Sequence, residues 1–471
     1  MRESDRYTID RLGIPEDELI RRAGEALASV IEKKFRGGRI LFVCGKGNNG
    51  KDGLAAADYL QSVHGFRVAV FRADESETGV FQGVYDIIVD CLFGVGLKRS
   101  PEGKYRACIQ AINDSGAYVI ACDIASGLNA DNGLPMECAV KAKMTVAMQE
   151  LKYGHLLNDG MDYSGNTRAV DIGISQWGDQ YGYCLDREDV KEFFPDRKRN
   201  VHKGAFGKAC LIGGSLPFSG AALLAESGLA ALKMGTGYTN LAVPESLYSC
   251  YAGRTAECTL SILPDDGKYL CFDAAALDLL CDRYQSIAVG MGMGVTEDTV
   301  KIISYLISHF RGKLIIDADG LNALAMCGAD WSKNRVGEIL LTPHIGEFAC
   351  LTGRKTCDII ENGVEYAKEF AKRHGVTVLL KSCASVITDG VRVCVNVEGS
   401  AGMAKGGSGD VLSGFLAGLA ARGLSPFDAA SVGSWIMGKA GKTAEEKLTV
   451  YAMTPSDVVR EVGSVIRSVM E

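Results

Sequence analysis

Short apolar runs alternate with longer amphipathic stretches through most of this chain. Between Ile14 and Ile31, the residues Leu19, Ile20, Ala23, Leu27, Val30 and Ile31 fall on one helical face, and Pro15 suits a first turn. Five largely apolar runs follow, at 40–44, 67–71, 87–91, 118–122 and 145–148. Such runs alternating with helical patterns predict a parallel sheet with helices on both faces. The rhythm then breaks into charge at 185–189 and 195–200. We therefore divide the chain into a first α/β unit, 1–183, a linker, 184–198, and a second unit, 199–471. The second unit repeats the pattern with strands expected at 209–212, 239–243, 287–289, 314–317, 339–341, 377–381 and 385–388. Helices are expected between them, notably at 221–234 and 426–446.

Composition changes this picture little. The 471 residues suit roughly two or three domains. Apolar residues make up 47% and charged residues 23%, as in ordinary globular protein. The 51 basic and 58 acidic residues are well mixed and leave a net charge of −7, which argues against a nucleic-acid partner. The opening Met1-Arg-Glu-Ser-Asp-Arg6 is too polar for a secretory leader, and no run approaches the roughly 18 apolar residues of a membrane span. The 16 cysteines include no Cys-x-x-Cys pair, and Cys44, Cys122, Cys210 and Cys394 lie in apolar runs, as buried thiols of a reducing cytoplasm would.

The chemistry concentrates in loops that follow strands. Gly45-Lys-Gly-Asn-Asn-Gly-Lys-Asp-Gly53 follows the first run. Gly45, Gly47 and Gly50 satisfy the dinucleotide pattern of a Rossmann-like unit, with Asp74 at about the right distance for a ribose contact. A phosphate loop would need Ser or Thr where Asp52 stands. The side chains of Asn48, Asn49, Lys51 and Asp52 suit direct grip on a polar ligand, although a Gly/Asn turn without a ligand has the same letters. Two further loops begin with acids, Asp90-Cys-Leu-Phe-Gly-Val-Gly-Leu97 and Asp123-Ile-Ala-Ser-Gly-Leu-Asn129. In an open parallel sheet these loops converge on one crevice.

In the second unit, Ala404-Lys-Gly-Gly-Ser-Gly-Asp410 bends into an apolar helix, 411–419. Glycine amides at a helix start gather on an anion, and Asp410 stands beside them. A carboxylate next to a phosphate cradle suggests phosphoryl transfer to an alcohol with the acid as base. Asp317 and Asp319 read as turn formers.

Together these motifs resemble two fused families. The set Gly-x-Gly-Asn-Asn-Gly-x-Asp-Gly, Val-Asp-x-x-Phe-Gly-x-Gly-Leu and Asp-Ile-x-Ser-Gly-Leu resembles the NAD(P)H-hydrate epimerases. His202-Lys-Gly-x-Phe-Gly-Lys208, Asp317-Ala-Asp-Gly-Leu-Asn322, Leu341-Thr-Pro-His-Ile-Gly-Glu347 and Gly406-Gly-Ser-Gly-Asp410 resemble the NAD(P)H-hydrate dehydratases of ribokinase-like fold. The resemblance implies a multifunctional enzyme, an isomerase and a lyase, that repairs NADHX and NADPHX. It implies Asp123 as the epimerase acid/base and Asp410 as the dehydratase base. It places the first unit's substrate at Asn48, Asn49, Gly50, Lys51 and Asp52, and at Gly94, Val95, Gly96, Leu97, Lys98, Arg99 and Ser100. Asn49, Asp90 and Ser126 match potassium ligands. Ala222, Gly294 and His344 match hydrate positions, and Lys381, Ser382, Cys383, Ala384, Ser385 and Gly409 nucleotide positions. The implied cofactors are ADP as co-substrate, potassium and magnesium. The expected assembly is a cytoplasmic homo-oligomer with neither nucleic-acid nor membrane partners. The chain departs from the family at Lys46, Lys51, Ala125 and Met291-Gly-Met-Gly294, and has Lys381-Ser where Lys-Gly is usual. Phosphorylation of a stable alcohol by the second unit, and a nonenzymatic binding role for the first, remain alternatives.

Overall fold

The computed structural model describes residues 2–178, 182–227 and 233–471. The chain divides into two compact units, Met1–Asp179 and Gln180–Glu471. In the first, β1 (Gly38–Cys44), β2 (Phe66–Arg72), β3 (Ile87–Cys91), β4 (Tyr118–Cys122), β5 (Met144–Met148) and β6 (Asn166–Val170) form one parallel sheet. Its order is β2-β1-β3-β4-β5-β6, so the chain changes direction at β1 and a crevice opens beyond the ends of β1 and β3. Along β1, Ile40, Phe42 and Cys44 enter one apolar layer while Leu41 and Val43 enter the other. Burial on both faces is why β1, β3, β4 and β5 read as largely apolar runs. β6 lies at an edge with most of Asn166-Thr-Arg-Ala-Val170 in water, and no apolar run announces it.

The helix expected over 14–31 is seen as Glu16–Lys34, with Pro15 as its N-cap rather than in its first turn. It lies so close to the helix Asn48–Gln61 that a Cβ on Gly24 would stand 2.5 Å from the Ala55 Cβ.

The second unit holds a ten-stranded sheet. Its strands are β7 (Gly182–Tyr183), β8 (Lys208–Ile212), β9 (Tyr238–Pro244), β10 (Thr259–Leu263), β11 (Ser286–Val289), β12 (Lys313–Ile316), β13 (Glu338–Leu341), β14 (Thr377–Leu380), β15 (Ser385–Thr388) and β16 (Val393–Asn396). The order is β10-β9-β8-β11-β12-β13-β14-β15-β16-β7, parallel except for the β14–β15 and β15–β16 pairs.

The charged stretch 184–198 is not a spacer. β7 already pairs with β16, and the helix Arg187–Lys191 puts Val190, wholly buried, into the same core as Val458 and Val462. Its charges, at Arg187, Glu188 and Asp189, stay in water, which is what makes the sequence look like a linker.

The helix expected at 221–234 is seen as Ser219–Glu226, and residues 228–232 lie outside the described set. The helix expected at 426–446 extends over Pro426–Ala452, broken at Thr449, whose φ is 77°. The helix after the glycine bend, Ser408–Ala421, is buried at every position from Val411 onward. Fully burying one Leu or Phe side chain is worth about 1.5–3 kcal/mol, so this helix fixes the bend at its start firmly in place. Among the described residues no helix is long and apolar enough to cross a membrane.

Candidate functional site

In the first unit the exits of β1, β3 and β4 meet. Packing demands two of the loop glycines: a Cβ on Gly50 would lie 1.8 Å from the Gly45 carbonyl oxygen, and one on Gly45 2.1 Å from that of Leu92. The loop is thereby pressed onto the exit of β3. There Asn49 is buried, its Nδ2 donating to the Phe93 carbonyl at 2.8 Å, while its Oδ1 is buried with no hydrogen-bond partner. Asp90, wholly buried, accepts from Ser126 N at 2.8 Å, Ser126 Oγ at 2.7 Å and Leu92 N at 3.2 Å. Burial pushes its carboxyl up to about 6 against those hydrogen bonds. The Phe93 N–H donates to Ser126 Oγ at 2.9 Å, so Asn49, Asp90 and Ser126 share one knot of loops. An orphaned amide oxygen beside a buried carboxylate and a hydroxyl fits a hard monovalent cation.

Asp123 directly follows β4 with φ 63°, a conformation costly for most non-glycine residues. Its surroundings hold it there. Oδ1 accepts from Lys152 Nζ at 2.5 Å and from Met148 N at 3.2 Å. Its carbonyl oxygen lies 2.9 Å from His155 Nε2, and His155 Nδ1 accepts the Lys152 N–H at 3.0 Å, which assigns the ring proton to Nε2. Burial, helped by the Lys152 charge, brings this imidazole down to about 4, so it is a neutral prop at ordinary pH. The motif reading missed Lys152 and His155. Their signal is positional: they follow the end of β5 as Asp123 follows the end of β4.

A cavity of ≈ 760 Å³ opens over Asp123. It is lined by Asn48, Asn49, Asp52, Gly94, Val95, Gly96, Leu97, Lys98, Arg99 and Lys152, with Lys46 also at its wall. A Cβ on Gly94 would sit 3.4 Å from Asp123 Oδ2, so that oxygen faces the loop that lines the cavity. Burial and the Asp123 charge push Asp52 up to about 8. Of the expected set, Gly50, Lys51 and Ser100 lie outside the lining. Gly50 serves packing, and Lys51 is exposed.

In the second unit Gly407, with φ 96°, turns the chain into the helix Ser408–Ala421, and Asp410 stands in the first turn. The buried Asp317 gathers the site: Oδ1 accepts from Lys381 Nζ and Thr342 Oγ1, each at 2.8 Å, and Oδ2 from Ser413 Oγ at 2.7 Å. A Cβ on Gly409 would be 3.3 Å from Lys381 Nζ, which places the ammonium directly against the bend. Burial, then the charge of Asp317, pushes Asp410 up to about 7, against the pull of Lys381. Burial works to lower Lys381, but Asp317 and Glu347 override it and hold its ammonium above the ordinary value. Asp319 Oδ2 accepts the Gly294 N–H at 2.8 Å. Asp317 and Asp319 thus do more than form a turn.

His344 caps the helix Ile345–Thr352, its Nδ1 accepting the Glu347 N–H at 3.1 Å, and bridges to Lys381. Ser382, Cys383, Ala384 and Ser385 make the turn from β14 into β15, with Ser382 and Cys383 exposed and Ala384 buried. Ala222 is wholly buried, and its methyl belongs to the core rather than to an open surface.

A parallel α/β unit with a strained acid over a cavity, followed by an α/β unit with an acid at a glycine-capped helix, defines a two-domain enzyme of nucleotide chemistry. Comparison with known proteins narrows the class. Residues 209–463 match the NAD(P)H-hydrate dehydratase model, and residues 16–82 and 71–154 match the YjeF-related protein N-terminus. The chain is 32% identical to the bifunctional NAD(P)H-hydrate repair enzyme of Thermofilum pendens, covering 99% of this chain and 95% of that one. It is 33% identical to that of Moorella thermoacetica, covering 100% and 96%. The ADP/ATP-dependent NAD(P)H-hydrate dehydratase of Bacillus subtilis, crystallised with ATP and Mg2+, matches with a TM-score of 0.53 and 26% identity over 62% of this chain and 99% of that one. A ribokinase-like superfamily protein of Enterococcus faecalis shares the fold, with a TM-score of 0.52 and 21% identity over 63% and 99%. The chain belongs to the family of bifunctional NAD(P)H-hydrate repair enzymes.

Proposed function

We propose that the chain repairs hydrated nicotinamide cofactors in two reactions, one per unit. The first unit interconverts the R and S epimers of NADHX and NADPHX. The second dehydrates the S form with ADP, releasing NAD(P)H, AMP and phosphate. The carrying observation is the carboxyl of Asp410 at a glycine-capped helix start, with the Lys381 ammonium held on Asp317 against the same bend.

Hydroxide leaves carbon poorly and phosphate leaves well. Ionised Asp410 takes the proton of the C6 hydroxyl, and that oxygen attacks the β-phosphorus of ADP as AMP departs. The Gly406–Gly409 amides and Lys381 steady the phosphoryl group in flight. The C6–O bond then breaks with assistance from the ring nitrogen, a C5 proton is lost, and phosphate carries the oxygen away. Magnesium enters with the phosphates of the nucleotide. The base works only when ionised. Below about pH 7 the dehydration rate at saturating ADP is expected to fall, by about tenfold per pH unit. A rate that stays flat across neutrality rejects Asp410 as the base.

In the first unit C6 carries both oxygen and nitrogen, so its C–O bond is labile. Asp123 Oδ2 assists water to leave one face and return on the other. We assign a potassium ion to Asn49, Asp90 and Ser126; when bound it supplies a positive charge that the orphaned Asn49 oxygen is built to meet. Exchanging potassium for tetramethylammonium is expected to slow epimerisation and lower the melting temperature of the first unit, with dehydration untouched. Equal epimerisation in both salts removes the ion from the site.

All 16 cysteines are free thiols, which supports our placing of the chain in the cytoplasm. We infer a homo-oligomer as well, which the mass of the purified chain in solution tests. The test of the whole reading is incubation with mixed hydrate epimers. Full recovery of reduced cofactor is expected with ADP and none without it. A stable phosphorylated product indicates an alcohol kinase instead, and an R epimer that persists indicates an idle first unit.

A further inference from the structure

Three large apolar side chains near the second site stand in water: Leu216 at 57% exposure, Phe218 at 53% and Val295 at 44%. Isolated apolar residues on a surface need no explanation, but Phe218 is tied to the site, and Leu216 and Val295 leave the same two strand ends. The Phe218 carbonyl and Cβ lie 2.7 Å and 3.0 Å from where a Cβ on Gly292 would stand, so the residue is pressed onto that turn. Two residues on, the Gly294 N–H donates to Asp319 at 2.8 Å, and Asp319 is one of the charges acting on Asp410. Val295 follows directly. From Phe218 the helix Ser219–Glu226 runs to Leu224, whose Cδ1 lies 2.5 Å from where a Cβ on Gly407 would be. Six residues of helix, about 9 Å, therefore join the apolar rim to the glycine bend.

Which ligand meets this rim follows from the sheet order. The rim sits at the exits of β8 and β11, whereas the loop holding Lys381 leaves β14, three strands beyond β11. At about 4.8 Å per strand these exits are about 14 Å apart, so a nucleotide beside Lys381 and a hydrate beside Gly294 occupy different ends of the site. The reacting ring of the hydrate must reach Asp410. The rim, being exposed, can touch only what projects from the site.

Resting on the repair reading above, we infer that Phe218, helped by Leu216 and Val295, grips the adenosine half of the hydrated dinucleotide, and that this contact selects dinucleotide over mononucleotide hydrates. An exposed aromatic ring offers a purine a stacking face at low conformational cost.

The test compares the S-NADHX hydrate with the hydrate of reduced nicotinamide mononucleotide, which lacks the adenosine half. The wild-type chain is expected to show a KM about tenfold lower for the dinucleotide, in line with the stacking of one base. Phe218→Ala should raise the dinucleotide KM to the mononucleotide value, leaving kcat, the mononucleotide KM and the KM for ADP unchanged. Phe218→Trp should restore the preference, and Val295→Ser should weaken it partly. Equal KM values in the wild-type chain, or a Phe218→Ala variant that raises both alike, overturn the inference. A wild-type chain that dehydrates neither hydrate with ADP overturns the repair reading instead.

Discussion

Asp410→Asn is expected to lower kcat for ADP-dependent dehydration by about 10²–10⁴-fold, the usual contribution of a positioned general base. The substitution keeps the shape of the side chain and removes only its capacity to accept a proton. The glycine bend survives, because the helix behind it is buried at every position from Val411 and owes nothing to the carboxylate. The Lys381–Asp317 pair survives as well, since Asp317 also holds Thr342 and Ser413. ADP affinity measured by calorimetry should therefore change little while single-turnover appearance of reduced cofactor nearly stops. The unchanged ADP affinity is the control for folding of this unit, and epimerisation in the same sample that for the first. A variant that dehydrates at the wild-type rate ends the mechanism proposed for this unit. Asp317→Asn differs in kind. It strips the partner from a buried ammonium, and breaking a buried pair costs about 3–5 kcal/mol, so loss of stability and activity should come together.

Asp123→Asn is expected to reduce conversion of the R epimer to its spontaneous rate. Asparagine tolerates the left-handed backbone at this position better than most residues, so the φ of 63° is not an obstacle to folding. The His155 contact is made to the backbone carbonyl and remains. What disappears is the carboxylate, with Oδ1 on Lys152 and Oδ2 toward the cavity. With ADP present, chromatography of mixed epimers should show the S form consumed and the R form left, apart from slow spontaneous exchange. Continued rapid loss of the R form shows that another group does the chemistry.

Both acids are legible in the sequence: Asp123 follows an apolar run at the end of a parallel strand, where ligand sites gather, and Asp410 stands between a glycine bend and an apolar helix. Lys152 and His155 are harder to see. They lie at the start of the short helix Tyr153–Leu156, which no motif announces, and only the packing of that helix beside the end of β4 brings them to Asp123. Asp317 and Asp319 look like turn formers because their letters are those of a turn. Their role depends on Lys381, Thr342, Ser413 and Gly294, which come from distant parts of the chain. Ala222 is the converse case. Its position matches a motif, yet its methyl is consumed by the core. The charged stretch at 184–198 misleads for a related reason: charge density reports solvation of a helix face, and the single buried Val190 beneath it is invisible in composition.

By itself, the sequence determines the two α/β units, most of their strands and helices, the glycine turns and the acids beside them. These follow from local rules, since side-chain spacing decides which face is buried and only glycine fits where backbones nearly touch. The tertiary structure alone decides which acids are pushed toward neutrality, as Asp52, Asp90 and Asp410 are, because that depends on burial and on partners far away in the chain. It also sets Asn49 Oδ1 without a partner, folds Lys152 onto Asp123, and brings Phe218 to the rim of the second site. Contacts between residues distant in sequence are made by packing, and no periodicity along the chain encodes them.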